Sequence, residues 1–321
     1  MKKRLYLLFA LLAISALVLA ACAPAATEAP PEPTDAPEPT DAPTEEPMVE
    51  YGTEENPLVW ALVPSQDTDA VLAGAEDIAQ AVEDATGYVI TPVVTTDYNA
   101  AVEAMCAGEA HIGALNTFSY IVAHQRECAD VQLASVRFGS SFYAGQIITL
   151  ADSGIATVAD LAGKTFCRPD PFSTSGWIIP SLAILAEGLD PETDLAGVVD
   201  AGGHDGVVLA VLDGTCEAGS TFVDARGNVE EDFPTVMEDV VVVSTSPPIP
   251  NDTISFHPDL PEELVDAVVA ALLSLNDSED GLADLNALYS WSGLEAVDDT
   301  FYDGFRQQLD AAGMSIEDLL N

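Results

Sequence analysis

From residue 57 onward, segments of strand length and strand composition alternate with segments of helical spacing. PLVWALVPS (57–65) is an apolar run followed by a helical stretch, 73–86, that stops at Gly87, a residue suited to ending a helix. YVITPVVTT (88–96) is β-branched and reads as the next strand. Asp97 is placed to N-cap a helix carrying Tyr98, Ala101, Val102 and Met105. HIGAL (111–115) and a helix over 117–126 complete the series. This β-α-β-α-β order predicts an α/β fold with a parallel sheet covered on both faces.

A second block repeats the pattern. After FYAGQIITLAD (142–152) come a short helix at 157–161, the strand KTFCRPD and a helix over 175–187. A strand at 198–201, a helix at 205–212 and the strand CEAGSTF follow, and VMEDVVVVSTSP (236–247) returns extended. The remainder reads as helices over 261–275, 282–289 and 300–320. Two blocks with extended crossings near 144–151 and 241–248 predict two lobes. Residues 56–145 form the first, 146–246 the second, and 247–321 return to the first. A single doubly wound domain gives similar alternation and is the alternative at this point.

The start of the chain reads as a targeting segment. Lys2, Lys3 and Arg4 precede an apolar stretch that ends in Leu19-Ala20-Ala21-Cys22. That ending resembles the bacterial lipobox, which makes 1–21 a signal peptide and Cys22 the lipidated first residue of an exported chain, anchored to the outer face of the cell membrane. The apolar run is short for a membrane span. Residues 23–47 repeat PEPTDA in tandem, and with this much Pro, Thr, Glu and Ala the segment 22–55 is a linker that forms no core.

Composition narrows the partners. The net charge is −45, from nine Lys plus Arg against 54 Asp plus Glu. A chain this acidic repels nucleic-acid backbones and gains nothing from a basic patch on anionic lipid. No His or Cys spacing matches a metal site, so neither a metal nor another cofactor is expected. Apart from Cys22, four cysteines remain. In an exported chain they predict two disulfides, and proximity favours Cys106–Cys128 and Cys167–Cys216 among three possible pairings. Four buried thiols are the alternative.

RPDPFSTSGWIIP (168–180) carries most of the chemistry. A strand ends, Asp170-Pro171 turns the chain, and Ser173-Thr174-Ser175-Gly176 opens a helix. Hydroxyls and free N–H groups at a helix start cradle an anion without Lys or Arg; ordinary N-capping by one serine explains the same residues. Ala201-Gly202-Gly203-His204-Asp205 is a second such start, with His204 either an anion donor or a cap. Asp97-Tyr98 is a third, with Tyr98 either a cleft phenol or core.

From about 56 to 310 the chain resembles the periplasmic substrate-binding proteins of phosphate/phosphite/phosphonate ABC importers. The resemblance lies in TTDYNAAVEAM, SSFYAGQIITL, DPFSTSG, AGGHDGVVLAVLDG and SPPIPNDTISF, in the family's order. It implies a type II periplasmic-binding-protein-like fold, two lobes hinged about a cleft, and a non-enzymatic monomer that delivers a small oxyanion to an ABC permease. By position, Ser173, Thr174, Ser175 and His204 match the oxyanion ligands of the second lobe. Tyr98, Tyr143 and Asp252 match the other cleft contacts, while Asn116-Thr117 and Asp224 occupy further cleft positions. Asp252 and Asp224 disfavour a dianion unless a cation or a retained proton sits beside them. Receptors for sulfonate, nitrate or a thiamine precursor, and an exported phosphate-ester hydrolase, are the other readings.

Overall fold

In a computed structural model of the chain, residues 50–314 and 316 are described. The expected signal peptide, Cys22 and the linker as far as residue 49 lie outside the described residues, as do 315 and 317–321 of the expected last helix.

The first lobe begins with β1 (Leu58–Leu62), α1 (Thr68–Thr86), β2 (Ile90–Val94), α2 (Tyr98–Cys106), β3 (Ile112–Leu115), α3 (Thr117–Gln125) and β4 (Asp130–Val136). Asp67 caps α1 by accepting from the Ala70 N–H, and Gly87 ends it with φ +79°. Val71, Ala75, Ile78, Ala79 and Val82 form the buried stripe of α1, spaced as one helical face requires. All four residues of β3 are buried, as expected of a central strand covered on both sides.

A short strand, β5 (Phe142–Tyr143), leads into the second lobe. There β6 (Gly145–Leu150), β7 (Thr165–Arg168), α4 (Ile179–Ala186), β8 (Gly197–Asp200), α5 (His204–Leu212) and β9 (Ala218–Phe222) precede α6 (Val236–Asp239) and β10 (Val240–Thr245). The chain then returns through β11 (Ile249–Pro250) to β12 (Thr253–Phe256), α7 (Glu262–Ser274), α8 (Glu279–Tyr289), β13 (Gly293–Ala296) and α9 (Asp303–Ala311).

The second sheet has the order β10-β6-β9-β7-β8. Its pleat sends neighbouring residues to opposite faces. Ile147 packs with Phe166, Leu161 and Ile184, whereas Ile148 packs with Val207, Val208 and Val211 of α5. The segments expected as crossings, 144–151 and 241–248, supply the antiparallel neighbours β6 and β10 of this sheet. The crossing itself is a two-stranded ribbon in which β5 and β11 pair Tyr143 with Ile249 and Phe142 with Pro250.

The first sheet, β13-β4-β12-β3-β1-β2, is parallel across β2, β1 and β3 as expected. It departs from the all-parallel expectation at β12, which lies antiparallel between β3 and β4. The reason is topological: β12 enters straight from the ribbon at the carboxyl end of β3, so it runs back along the sheet. Residues 236–239, expected to be extended, form the short helix α6.

Both disulfides expected from sequence are present. Cys106–Cys128 joins the end of α2 to the turn after α3, and Cys167–Cys216 ties β7 to the approach of β9. Closing loops with sequence separations of 22 and 49 residues stabilises a chain by about 3 to 4 kcal/mol each in the loop-entropy account.

Candidate functional site

The two sheets turn the carboxyl ends of β1, β3, β7 and β8 toward one another, and helices begin there. Asp97 caps α2 by accepting from the Ala100 N–H at 2.7 Å. Asn116 caps α3, with its Oδ1 accepting from the Ser119 N–H. Ser173 caps the turn that runs into α4, with Oγ accepting from the Gly176 N–H at 3.1 Å. Gly176 is required there, because a Cβ would lie 2.3 Å from Pro169 Cδ and 2.6 Å from Ser173 Oγ.

Two of these helix starts are occupied by the opposite lobe. The Tyr98 N–H donates to Asp170 Oδ2 at 3.2 Å, and the Phe118 N–H donates to Thr174 Oγ1 at 2.9 Å. Asn116 Nδ2 donates to the Phe172 carbonyl at 2.8 Å, and the His204 N–H donates to the Ser65 carbonyl at 2.8 Å. Together with a longer bond from Asn228 Nδ2 to Gln66 Oε1 at 3.5 Å, these hold the lobes together in a closed arrangement. Asp170 is buried, and burial raises its pKa above the ordinary carboxylate range although the Phe172 and Tyr98 N–H groups oppose this.

Between the lobes lies a small, largely enclosed cavity of about 20 Å³. Of the ten residues that sequence reasoning placed in a ligand site, Tyr98, Asn116, Tyr143, Ser173, Ser175, His204 and Asp252 line it. The other three do not. Thr117 Oγ1 donates to the Pro250 carbonyl, and Thr174 serves the lobe contact. Asp224 pairs with Arg226 and accepts from Gln146 Nε2 at 3.0 Å.

The cavity's polar groups are mostly neutral donors. His204 is buried, its Nδ1 accepts from the Phe222 N–H at 3.3 Å, and its Nε2 lies 3.5 Å from Ser173 Oγ. An acceptor at Nδ1 assigns the ring proton to Nε2. Burial, reinforced by the nearby Arg137 charge, pushes the His204 pKa down to about 3, so the ring is neutral at physiological pH. The Tyr98 hydroxyl is buried without a hydrogen-bond partner, and burial raises its pKa well above the usual phenol value.

One expectation needs correcting. The site was expected to work without a basic side chain, yet Arg137 lines the cavity together with Val63, Ser65 and Phe222, which sequence reasoning also missed. Arg137 Nη2 donates to Asp252 Oδ2 at 2.8 Å, and Arg137 Nε is buried without a partner. The cation sought beside Asp252 is therefore present. The available signal was scarcity: once Lys2, Lys3 and Arg4 are set aside, only six of the nine basic residues remain to be placed.

Comparison with known proteins agrees with this architecture. The profile of the family described as "ABC transporter, phosphonate, periplasmic substrate-binding protein" matches residues 60–302. Over 172 residues, half of this chain, the sequence is 31% identical to the "Phosphate-import protein PhnD" of Mycolicibacterium smegmatis, a match spanning 54% of that relative. It is 24% identical over 251 residues to the "Phosphonates-binding periplasmic protein" of Escherichia coli, covering 77% of this chain and 74% of that protein. Among solved structures, a binding-protein component of an ABC phosphonate transporter from Pseudomonas aeruginosa superposes with a TM-score of 0.74 at 20% identity, covering 80% and 86% of the two chains. PhnD1 of Prochlorococcus marinus, in complex with methylphosphonate, superposes with a TM-score of 0.72 at 13% identity, covering 80% and 98%. At these identities the structural likeness establishes the two-lobed type II periplasmic-binding fold.

Proposed function

The chain belongs to the family of periplasmic substrate-binding components of phosphonate ABC transporters, and from that premise we propose that it captures phosphonate, phosphite or phosphate between its lobes and delivers it to a membrane permease. Its relatives are transport proteins, which fits a binding role without turnover. The observation that carries the proposal is one enclosed cavity in which the neutral His204 Nε2–H, the unpartnered Tyr98 hydroxyl and the Ser173 and Ser175 side chains meet. A buried donor left unpaired costs about 1 to 3 kcal/mol. A tetrahedral oxyanion, with several acceptor oxygens, removes that cost at several donors together.

Binding and closure are then one event. Tyr98 and Asn116 come from the first lobe, Ser173, Ser175 and His204 from the second, and a ligand touching both favours the form in which the lobe–lobe bonds exist. The acidity of the chain is no obstacle at contact range, since surface charge is screened over roughly 8 Å at physiological salt. It slows the approach of an anion at low salt. Lipidation of Cys22 and the Pro-rich linker hold this monomeric receptor near the permease, and mass spectrometry of the mature N-terminus tests the anchor directly.

Calorimetric titration with methylphosphonate, 2-aminoethylphosphonate, phosphite and phosphate, with sulfonate and nitrate as controls, tests the function. His204→Ala and Ser173→Ala are each expected to weaken the best phosphorus ligand by about ten- to hundredfold, as loss of a hydrogen bond to a charged group does. Wild-type affinity in both variants, or a preference for sulfonate or nitrate, overturns the assignment.

A further inference from the structure

Arg137 follows β4 in a tight turn closed by two backbone bonds, from the Arg137 N–H to the Ser140 carbonyl at 2.9 Å and from the Ser140 N–H to the Arg137 carbonyl at 3.0 Å. Phe138 sits in the left-handed region at φ 51° and Gly139 at φ 76° to make the reversal. The guanidinium carbon lies 5.0 Å from the centre of the Phe222 ring and 5.6 Å from that of Tyr143. The Arg137 side chain is 5% exposed and its partner Asp252 16%. In every other Lys– or Arg–carboxylate pair among the described residues the acid is at least 31% exposed. Among the described residues, this pair alone has both partners largely withdrawn from water, and it does so at the wall of the cavity between the lobes.

Charge decides what such a cavity admits. A carboxylate facing an enclosed space would attract a ligand's ammonium group, but Asp252 already has its cation. A second cation would meet the guanidinium in a medium far less polar than water, where like charges repel strongly. The unpartnered Nε–H of Arg137 is a charged donor, and an anionic oxygen satisfies it. The small cavity also leaves little length for a side arm.

We propose that Arg137 is the specificity-determining residue of this cavity: as a resident cation paired with Asp252 it stands where a ligand's ammonium would have to bind, so the site takes phosphorus oxyanions bearing hydrogen, hydroxyl or a short alkyl group and rejects those with an amino arm. The inference rests on the oxyanion-binding reading above. Arg137 is thereby a selector of ligand class as well as a donor.

Calorimetry on the full-length protein with methylphosphonate and 2-aminoethylphosphonate tests it. Wild type is expected to prefer methylphosphonate by at least about 100-fold, since like-charge juxtaposition is heavily penalised. Arg137→Met, which frees Asp252 for an ammonium, is expected to shrink that ratio at least about tenfold, and Arg137→Lys to keep it. The wild-type comparison needs no variant, and Arg137→Lys retains the buried charge if Arg137→Met does not fold. Equal wild-type affinity for the two ligands overturns the inference while leaving the oxyanion reading intact, and so does an unchanged ratio in Arg137→Met. Wild type that binds neither ligand at millimolar concentration overturns both.

Discussion

Arg137–Asp252 and Arg226–Asp224 are the same two residue types at similar distances, 2.8 and 2.6 Å, yet they serve the molecule differently. Burial is the largest influence on Asp252 and raises its pKa, outweighing the opposing Arg137 charge and hydrogen bond. At Asp224 burial also pushes upward, but bonds from Arg226 and Gln146 prevail and the pKa falls below the ordinary range. Asp224 is 31% exposed and does not line the cavity. Chemical identity thus says little about an ion pair until its contact with water is known.

Breaking each pair from its cationic side gives the largest contrast. Arg137→Met leaves a buried carboxylate uncompensated, a change of about 3 to 5 kcal/mol, which lowers the thermal midpoint on the order of 10 °C in a chain of this size. Arg226→Met leaves its carboxylate in reach of water and is expected to lower the midpoint by only about 2 to 4 °C. Thermal unfolding followed by circular dichroism decides between them, and equal losses would contradict the distinction. Adding Asp252→Asn to Arg137→Met removes the stranded charge and is expected to restore most of the lost stability.

Salt and pH sharpen the contrast further. Between about 0.05 and 1 M salt the loss caused by Arg226→Met should fade, because screening reaches that pair, while the loss caused by Arg137→Met should persist. The smallest effect lies in titration. Asp224, with its lowered pKa, contributes stability above the ordinary aspartate range that is lost as pH falls through its folded value, so Asp224→Asn should flatten the acid side of the stability curve. Asp252, with its raised pKa, binds its proton more tightly when folded, so its contribution declines as pH rises through that window and Asp252→Asn should remove this decline. Thermal midpoints from roughly pH 3 to 6 separate the two, and parallel curves would count against the assignment.

Most of what could be read from sequence was local. The caps at Asp97 and Ser173 and the stop at Gly87 depend on neighbours in the chain, and they appear where their residue types predict. The disulfide pairs followed from separation along the sequence. TISF was not legible as a strand: it is four residues long, wholly buried and close behind Pro247, Pro248 and Pro250, so neither alternation nor length marked it. DVQLASV was missed as well, although its pairing with β12 and β13 completes the first sheet. Arg137 was hidden for a different reason. Its place in the cavity depends on a reversal at Phe138 that no glycine at that position announces, and on the Phe222 ring from a distant segment.

The Tyr98→Phe exchange bears most directly on the claim that an oxyanion sits among buried donors, because it deletes one unpartnered oxygen and little else. Calorimetry with the preferred phosphorus ligand should show affinity reduced by about ten- to hundredfold, while the ligand-free protein unfolds at the same temperature or slightly higher. Undiminished affinity in Tyr98→Phe would contradict the placement of the ligand in this cavity.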